Sequence, residues 1–479
     1  MVNAADTMCT RGGPTADRMR RFLVSPRFRS DRRFLHPQNA LRGWRGRWII
    51  RIATGMTEHP DTAAAQPKRD MAFREFVMLC ACLMAMNALS IDPMLPALPD
   101  IGRDLSVPHP NDRQLIISVY FLGLGVGSLL FGVLSDRYGR KRVLGGAMAL
   151  FILSSIACAG AHSFAMMLAA RACAGFFAGA SRVITVGIVR DRFRGDAMAR
   201  VMSLIFAVFM LIPVMAPTFG QAILWIAPWR WIFWALAILA TLILLWMGMR
   251  LPETLLPENR LRMSAGTIFR TVGTIVRTRT SIGYMLASGV VMSGLIGFIL
   301  SVQQIFFDIF GAQGIFPFAF AAIAGSMGVG SLLNSRLVSR FGARRLSQTA
   351  LLCLVSINVV HLAVILAGHE TIVSFMILQA ATMMTIAFTA SNFSAISMEP
   401  FAKGAGVASS FQAFLTTAVS SALGSLVGQA FNGTTLPLTL GLAVFGSISF
   451  LIVAWAERGN LFTRPHHGAL RDPEFEPLH

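Results

Sequence analysis

The chain has 479 residues, 54% of them hydrophobic and only 14% charged, with a formal net charge of +19. Soluble domains carry about 25% charged residues, so this composition, with a mean hydropathy of +0.62, excludes a large soluble core and points to an integral membrane protein. The positive charge does not imply a nucleic-acid partner, because the basic residues cluster at the ends of apolar runs and in the N-terminal tail.

Residues 1–70 form the first region and differ from the rest. They are rich in arginine (Arg18, Arg20, Arg21, Arg27, Arg29, Arg32, Arg33) and lack a long apolar run. No h-region follows these arginines, so a secretory signal is excluded. The open readings are an organellar transit peptide, a basic arm on anionic lipid, or an untranslated stretch before a start at Met56 or Met71. In each case the segment is expected to be disordered.

Twelve apolar runs follow, at about 73–96, 113–135, 143–162, 164–190, 199–225, 229–249, 280–304, 312–338, 346–367, 371–397, 404–430 and 436–456. Each is close to or above the roughly 20 residues that cross a bilayer as a helix. Alternate ends of these runs are basic: Lys68, Arg69 and Arg74; Arg137 to Arg142; Arg190, Arg192 and Arg194; Arg260, Arg262, Arg270, Arg277 and Arg279; Arg336, Arg340, Arg344 and Arg345; Lys403; Arg458. The other ends carry only Arg103, Arg113, Arg230 and His369. This bias predicts cytoplasmic termini and an even number of spans.

The longest inner loop, 251–279, divides the spans into an N-terminal bundle (71–250) and a C-terminal bundle (280–457), with a tail at 458–479. The second half echoes the first. Asn334 to Arg345 follows the eighth span as Gly132 to Arg142 follows the second, keeping the glycine and arginines but lacking the aspartate. A degenerate repeat of this kind fits a two-bundle secondary transporter with its site near the midplane. The six cysteines show no metal-ligand spacing, and most lie inside apolar runs as packing residues.

Several motifs stand out along the chain. Gly132-Val133-Leu134-Ser135-Asp136-Arg137-Tyr138-Gly139-Arg140-Lys141 is a short basic hairpin between two spans. Asp92-Pro93-Met94-Leu95-Pro96-Ala97-Leu98-Pro99 lies in the first span, Arg171 with Gly175 and then Arg190-Asp191 in the fourth, Ala216-Pro217-Thr218-Phe219-Gly220 in the fifth, and Pro252-Glu253-Thr254-Leu255 after the sixth. On these residues the chain resembles the major facilitator superfamily and, within it, the Bcr/CflA-type drug:proton antiporters. The hairpin matches the superfamily signature G-x-L-[SA]-D-R-x-G-R-[KR]. The first-span segment is similar to D-M-Y-L-P-A-L-P, with Pro93 and Met94 as departures. The fifth-span segment is similar to the antiporter motif G-P-x-x-G, with Ala216 in place of the first glycine. The resemblance implies an all-α membrane fold of twelve helices in two six-helix bundles, termini inside, and an antiporter in a bacterial inner membrane.

The residues themselves suggest roles. Asp92 is the one carboxylate expected deep within a span, and a carboxyl group far from water suits a reversible proton carrier. Its alternative is a capping or kink-stabilising acid beside Pro93. Arg171, by residue counting, lies at the depth of Asp92, and an ion pair between them is expected, serving coupling or structure alone. Arg182, eleven residues on, shares nearly one helical face with Arg171; it either lines the cavity, attracting anionic or zwitterionic groups, or snorkels to the inner surface. Gly132, Asp136, Arg137, Gly139, Arg140 and Lys141 are expected to form a conformational latch, or else a solvated topological anchor. Pro213, Pro217 and Gly220 are expected to bend the fifth helix. Tyr120, Gln303, Gln304, Asp308, His361 and Asn392 are weaker substrate-facing candidates, in a chain whose 36 phenylalanines and 26 methionines suit an adaptable apolar cavity.

No G-x-x-x-x-G-K-[ST] loop, hydrolase triad or metal cluster occurs in the sequence, so no enzyme, cofactor or metal is expected and the proton gradient is the expected drive. The leading reading is a monomeric, proton-coupled exporter of small amphipathic compounds. The alternatives are a proton-coupled transporter of amino acids, peptides or metabolites, and a non-transporting membrane sensor on the same fold.

Overall fold

A computed structural model describes residues 71–193, 195–255, 265–401 and 405–462. The expected tail at 1–70, Arg194, Arg260, Arg262, Lys403 and most of the C-terminal tail lie outside the described residues. Twelve helices are long and apolar enough to cross a membrane, and no strand occurs among the described residues. Their main α-helical segments are α1 (Phe73–Leu89, the first part of a span that runs to Asp104), α2 (Leu115–Tyr138), α3 (Arg140–Ala159), α4 (Phe164–Arg192), α5 (Gly195–Ile226), α6 (Arg230–Arg250), α7 (Arg279–Gln304), α8 (Phe316–Phe341), α9 (Ala343–Leu366), α10 (Ile372–Met398), α11 (Ala405–Gln429) and α12 (Leu436–Ala456). At 1.5 Å per residue, even a helix of about 20 residues covers the ~30 Å of hydrocarbon.

The helix boundaries follow local chemistry. Ser163 caps α4 by accepting from Met166 N at 3.2 Å, and Thr371 with Ser374 forms a capping box at the start of α10. The tight joints between α2 and α3 and between α8 and α9 are single glycines, Gly139 (φ +103°) and Gly342 (φ +83°). Both adopt a backbone conformation that disfavours a side chain. The repeat seen in the sequence is therefore also a repeat of turn geometry.

Two features depart from the expected spans. The first span is not one helix. After α1 the chain turns at Ser90 and Ile91, forms a 3₁₀ helix at Asp92–Ala97, and resumes α-helix at Leu98–Asp104. Ser90 Oγ donates to Met86 O at 2.6 Å, and Pro93 and Pro96 have no N–H to continue the α-helical ladder. The second departure is an additional helix, Ala265–Arg277, within the expected central loop.

The pairing of helices shows the two halves directly. In the first half α1 packs on α5, α2 on α4, α3 on α4 and α6; in the second half α7 packs on α11, α8 on α10, α9 on α10 and α12. Each pair maps onto its counterpart by a shift of six helices. Across the halves, α2 meets α11 and α5 meets α8, which are themselves equivalent under that shift.

Close approach is supplied by glycines. A Cβ at Gly175 would run into the backbone carbonyl of Tyr120, and one at Gly220 into the carbonyl of Pro93. In lipid, apolar side chains gain little by touching one another rather than acyl chains. Backbone proximity and van der Waals contact therefore set which helices pair. Gly175→Ala should destabilise the protein by about 1–3 kcal/mol, because the obstacle is main chain that cannot rotate away. Gly146→Ala, with nothing within 4 Å of the added atom, should leave stability unchanged or slightly raised. Thermal unfolding of the two variants in detergent checks this; equal midpoints would refute it.

Candidate functional site

A cavity of about 310 Å³ lies between the halves, lined by α1, α2, α4 and α5 on one side and α7, α8, α10 and α11 on the other. Its walls are mainly apolar, with Phe121, Phe206, Phe209, Met292, Phe298, Phe320, Met327 and Met383 prominent. Two ionisable side chains line it, Asp92 and Arg182. Asp92 is the first residue of the 3₁₀ segment, where the break in the first span turns it inward, and it is only 5% exposed. Among the described residues it makes no ion pair and no hydrogen bond, and neither does the Arg182 side chain. Around them stand Asn87, Thr416, Thr417 and Ser420; Asn87 Oδ1 and Thr416 Oγ1 are buried without a hydrogen-bond partner.

The expected pair between Asp92 and Arg171 is absent. Arg171 is 1% exposed and turned toward α2, not α1. Its Nε donates to Ile116 O at 3.2 Å, and its guanidinium lies 4.3 Å from the centre of the Tyr120 ring and 5.9 Å from that of Phe233. A carbonyl and two aromatic faces thus stand in for the carboxylate, and cation–π contact is strongest where water is excluded. One terminal nitrogen, Nη2, stays without a partner. Tyr120, expected on the cavity, is fully buried beneath this guanidinium instead.

The hairpin after α2 forms a dense ionic cluster. Arg140, 4% exposed, reaches Asp136 Oδ1 at 2.5 Å and Asp191 Oδ2 at 3.1 Å, and donates to Ser135 Oγ at 2.6 Å. Glu253, beyond α6, accepts from the backbone N–H of Arg140 at 2.8 Å and of Lys141 at 3.2 Å, and so holds the first turn of α3. An acid at a helix N-terminus also complements the helix dipole. Lys141 Nζ donates to Gly248 O at 2.8 Å on α6. Arg137 is exposed and lies over its neighbour Tyr138, so it is the one cation of the motif outside this network. Gly132 packs directly against Ser410 of α11, and Gly406 lies beside Asp136 and Arg190. These contacts carry the α2–α11 seam to the basic end of the bundle.

The second half carries a matching cluster that the motif reading missed. Arg344, opening α9 as Arg140 opens α3, donates to Glu457 Oε1 at 2.8 Å and Glu399 Oε2 at 2.7 Å. Tyr284 Oη also donates to Glu457 Oε1, at 2.8 Å. Glu399 follows α10 as Asp191 ends α4, and Glu457 follows α12 as Glu253 follows α6. The available signal was three acids, Glu253, Glu399 and Glu457, each at the end of a span where the surrounding charges are basic.

The remaining substrate candidates are not on the central cavity. Gln304 Oε1 accepts from Gln114 Nε2, and Gln304 Nε2 donates to Asn111 Oδ1 at 3.0 Å. Asn111 also donates to Gln429 O at 3.0 Å and Phe431 O at 2.8 Å. This polar clasp joins the 3₁₀ turn at Pro110–Gln114, just before α2, to α7 and α11 at the end opposite the ionic clusters. Gln303 beside it is buried, and Asp308 lines a separate surface pocket at that same end, on a π-helical turn at Ile305–Ile309 that swings it outward. Asn392 donates to Asn334 Oδ1 at 2.8 Å and so ties α10 to α8. His361 is buried against Glu370 Oε1 at 2.9 Å, whose other oxygen accepts from Thr435. In α5, Pro213 lines the cavity, Pro217 is buried, and Gly220 seats the helix on Pro93, next to Asp92.

Comparison with known proteins agrees with this architecture. The chain is 32% identical over 381 residues to the uncharacterized MFS-type transporter YdgK of Bacillus subtilis, covering 78% of this chain and 93% of that protein. It is 28% identical over 404 residues to the bicyclomycin resistance protein homolog of Haemophilus influenzae, covering 81% and 98%. It is 34% identical over 179 residues to the multidrug resistance protein MdtL of Escherichia coli, covering 37% and 46%. The crystal structure of the human organic anion transporter MFSD10 (TETRAN) matches with a TM-score of 0.57 at 18% identity, over 81% of this chain and all of that one, and shares the fold. The family model described as Major Facilitator Superfamily matches residues 77–425, and the chain belongs to that family of membrane transporters, which are not enzymes.

Proposed function

We propose that this transporter is a proton-coupled antiporter that exports small amphipathic drugs or metabolites by alternating access, as a monomer in a bacterial inner membrane with both termini in the cytoplasm. The observation that carries the reading is Asp92. It is a carboxyl group at membrane depth, on a broken helix, facing an apolar cavity and bound to no other described residue. An intramembrane acid without a partner is costly when ionised. It therefore has reason to take up either a proton or a cationic group of an occupant, and exclusive occupancy of one carboxylate by those two is sufficient for exchange. The resistance-protein names of the Haemophilus and Escherichia relatives support drug export as the direction. No cofactor enters the scheme.

The ionic clusters are the proposed latch. Arg140 and Glu253 join α2, α3, α4 and the segment after α6, while Gly132 and Gly406 bring α11 against them. The contacts of Gly132 with Ser410 and of Gly406 with Asp136 and Arg190 form only when the halves meet at the basic end, and the ionic cluster that holds Asp136 in place supports them, so together they bias the two-state equilibrium toward closure there. The clasp of Asn111, Gln114, Gln304 and Gln429 is its counterpart at the other end.

In proteoliposomes under a fixed pH gradient, the wild-type protein should move protons against at least one member of a panel of chloramphenicol-like, cationic and dipeptide compounds. Asp92→Asn should abolish that exchange while still binding the compound. Normal coupling in the variant would remove Asp92 from the mechanism.

For the latch, Arg140→Ala leaves Asp136 and Asp191 uncompensated and should shift the balance toward opening at the basic end. A thiol introduced as Ser410→Cys, now packed on Gly132, should then react with a membrane-impermeant reagent about tenfold faster than in the Arg140 parent, the change expected for a tilt of about 1.4 kcal/mol. Arg137→Ala should leave the labelling rate unchanged. Equal rates in the Arg140→Ala and parent backgrounds would refute the latch.

A further inference from the structure

We infer that the central cavity is built for zwitterions: amphipathic molecules with an anionic group at one end, a cationic group at the other and an apolar middle. The inference rests on the export reading above and names its substrate class.

The cavity contains one charge of each sign, Asp92 and Arg182, and neither is neutralised by another described residue. Asp92 is buried, whereas the Arg182 side chain is exposed within the openings it lines; the most deeply buried cations of the first half have partners. Arg140 has Asp136 and Asp191, and Arg171 has a carbonyl and two aromatic rings. Arg182 is also the residue common to two cavities. It lines the central chamber and a smaller cavity of about 110 Å³ at the basic end, where Asp136, Arg140, Arg190 and Gly406 gather. The guanidinium therefore stands on the basic-end side of the chamber, and Asp92 stands at the break in the first span.

Charge arithmetic then selects the occupant. A monocation gains Asp92 but shares a low-dielectric chamber with an uncompensated guanidinium. A monoanion gains Arg182 but leaves Asp92 either uncompensated or held by a proton. While Asp92 is ionised, only a molecule carrying both signs compensates both groups, and charges left unpaired in such surroundings are strongly penalised. The phenylalanine and methionine walls receive the apolar middle. A proton on Asp92 then releases the cationic end while Arg182 keeps the anionic end, so exchange begins at Asp92.

The test uses the full chain in nanodiscs, without any gradient, and three probes on one fluorescent scaffold. The first is a quinolone with a carboxylate at one end and a piperazine ammonium at the other. The second is its ester, a cation, and the third its N-acetyl form, an anion. The wild-type protein should bind the zwitterion about tenfold or more tighter than either relative, the scale of one unpaired interaction of about 1.4 kcal/mol. Arg182→Gln should bring the zwitterion down to the level of the ester, and Asp92→Asn to the level of the N-acetyl form. Arg182→Lys should retain the preference, which separates loss of charge from loss of fold. A wild-type protein that binds the ester as tightly as the zwitterion, or an Arg182→Gln variant with an unchanged ratio, overturns the inference. If cations still exchange for protons in proteoliposomes in that case, the antiporter reading survives it. If no probe binds and no compound moves protons, both fall.

Discussion

A charged group that leaves water in this protein has to find its compensation inside the bundle or in what it binds, and the architecture follows from how the described ones do so. Hydrocarbon offers no counter-charge and no hydrogen bond. Arg171 finds its compensation in the π-faces of Tyr120 and Phe233 and the carbonyl of Ile116, an arrangement possible only because α2 and α4 approach closely. That approach needs Gly175, whose missing Cβ leaves room for the Tyr120 main chain. The arginine and the glycine four residues later are thus parts of one contact. The glycine lets the helices meet, and the meeting gives the arginine its surroundings.

The same constraint, at the membrane edge, produces the two ionic clusters. Arg140 is the first residue of α3 and Arg344 the second of α9, both in the turn that follows a glycine with positive φ, and each reaches acids at the ends of two other helices of its half. The halves differ in one partner. Asp136 exists only in the first, where α11 begins against it. The second half substitutes the Tyr284 hydroxyl on Glu457. The first cluster is therefore placed to respond to the other half, whereas the contacts of Arg344 and Tyr284 with Glu399 and Glu457 remain within the second half.

Much of this was legible in the sequence, for identifiable reasons. Twelve spans were readable because a membrane helix has a length and a composition that chance rarely gives. The repeat was readable because its glycines and arginines sit at joints where few residues fit. Helix rotation was much less legible. Counting placed Arg171 at a depth but could not say that it faces Tyr120, since a face is decided by the neighbour, and two helices compete for it. The break after Leu89 was signalled by Pro93 and Pro96, yet a run of apolar residues from 73 to 96 masked it. Gln304 and Asn392 were read as substrate-facing because they are polar within spans. Their partners, Gln114 and Asn334, are 190 and 58 residues away, and such pairings have no local signature. Glu399 and Glu457 belong to no motif and gain their meaning only when Arg344 is placed between them.

The break in the first span gives Asp92 a property that a continuous helix would not. In a straight helix a side chain moves only with the whole rod. Here Asp92 opens a short 3₁₀ segment held from behind by Gly220 of α5, while α1 below it packs on α4 and α5. α5 in turn contacts α8 across the seam between halves, and Pro213, seven residues before Gly220, lines the cavity itself. A rocking motion of one half against the other would therefore act on the carboxylate through the packing of α5 on the 3₁₀ segment, where Gly220 meets Pro93. In the reverse direction, a change in what Asp92 holds would bear on that same packing. Coupling needs an element that both the ligand and the seam can bias. The 3₁₀ segment at Asp92–Ala97, lying between a cavity-facing acid and a helix that crosses the seam, meets that requirement within one turn of chain.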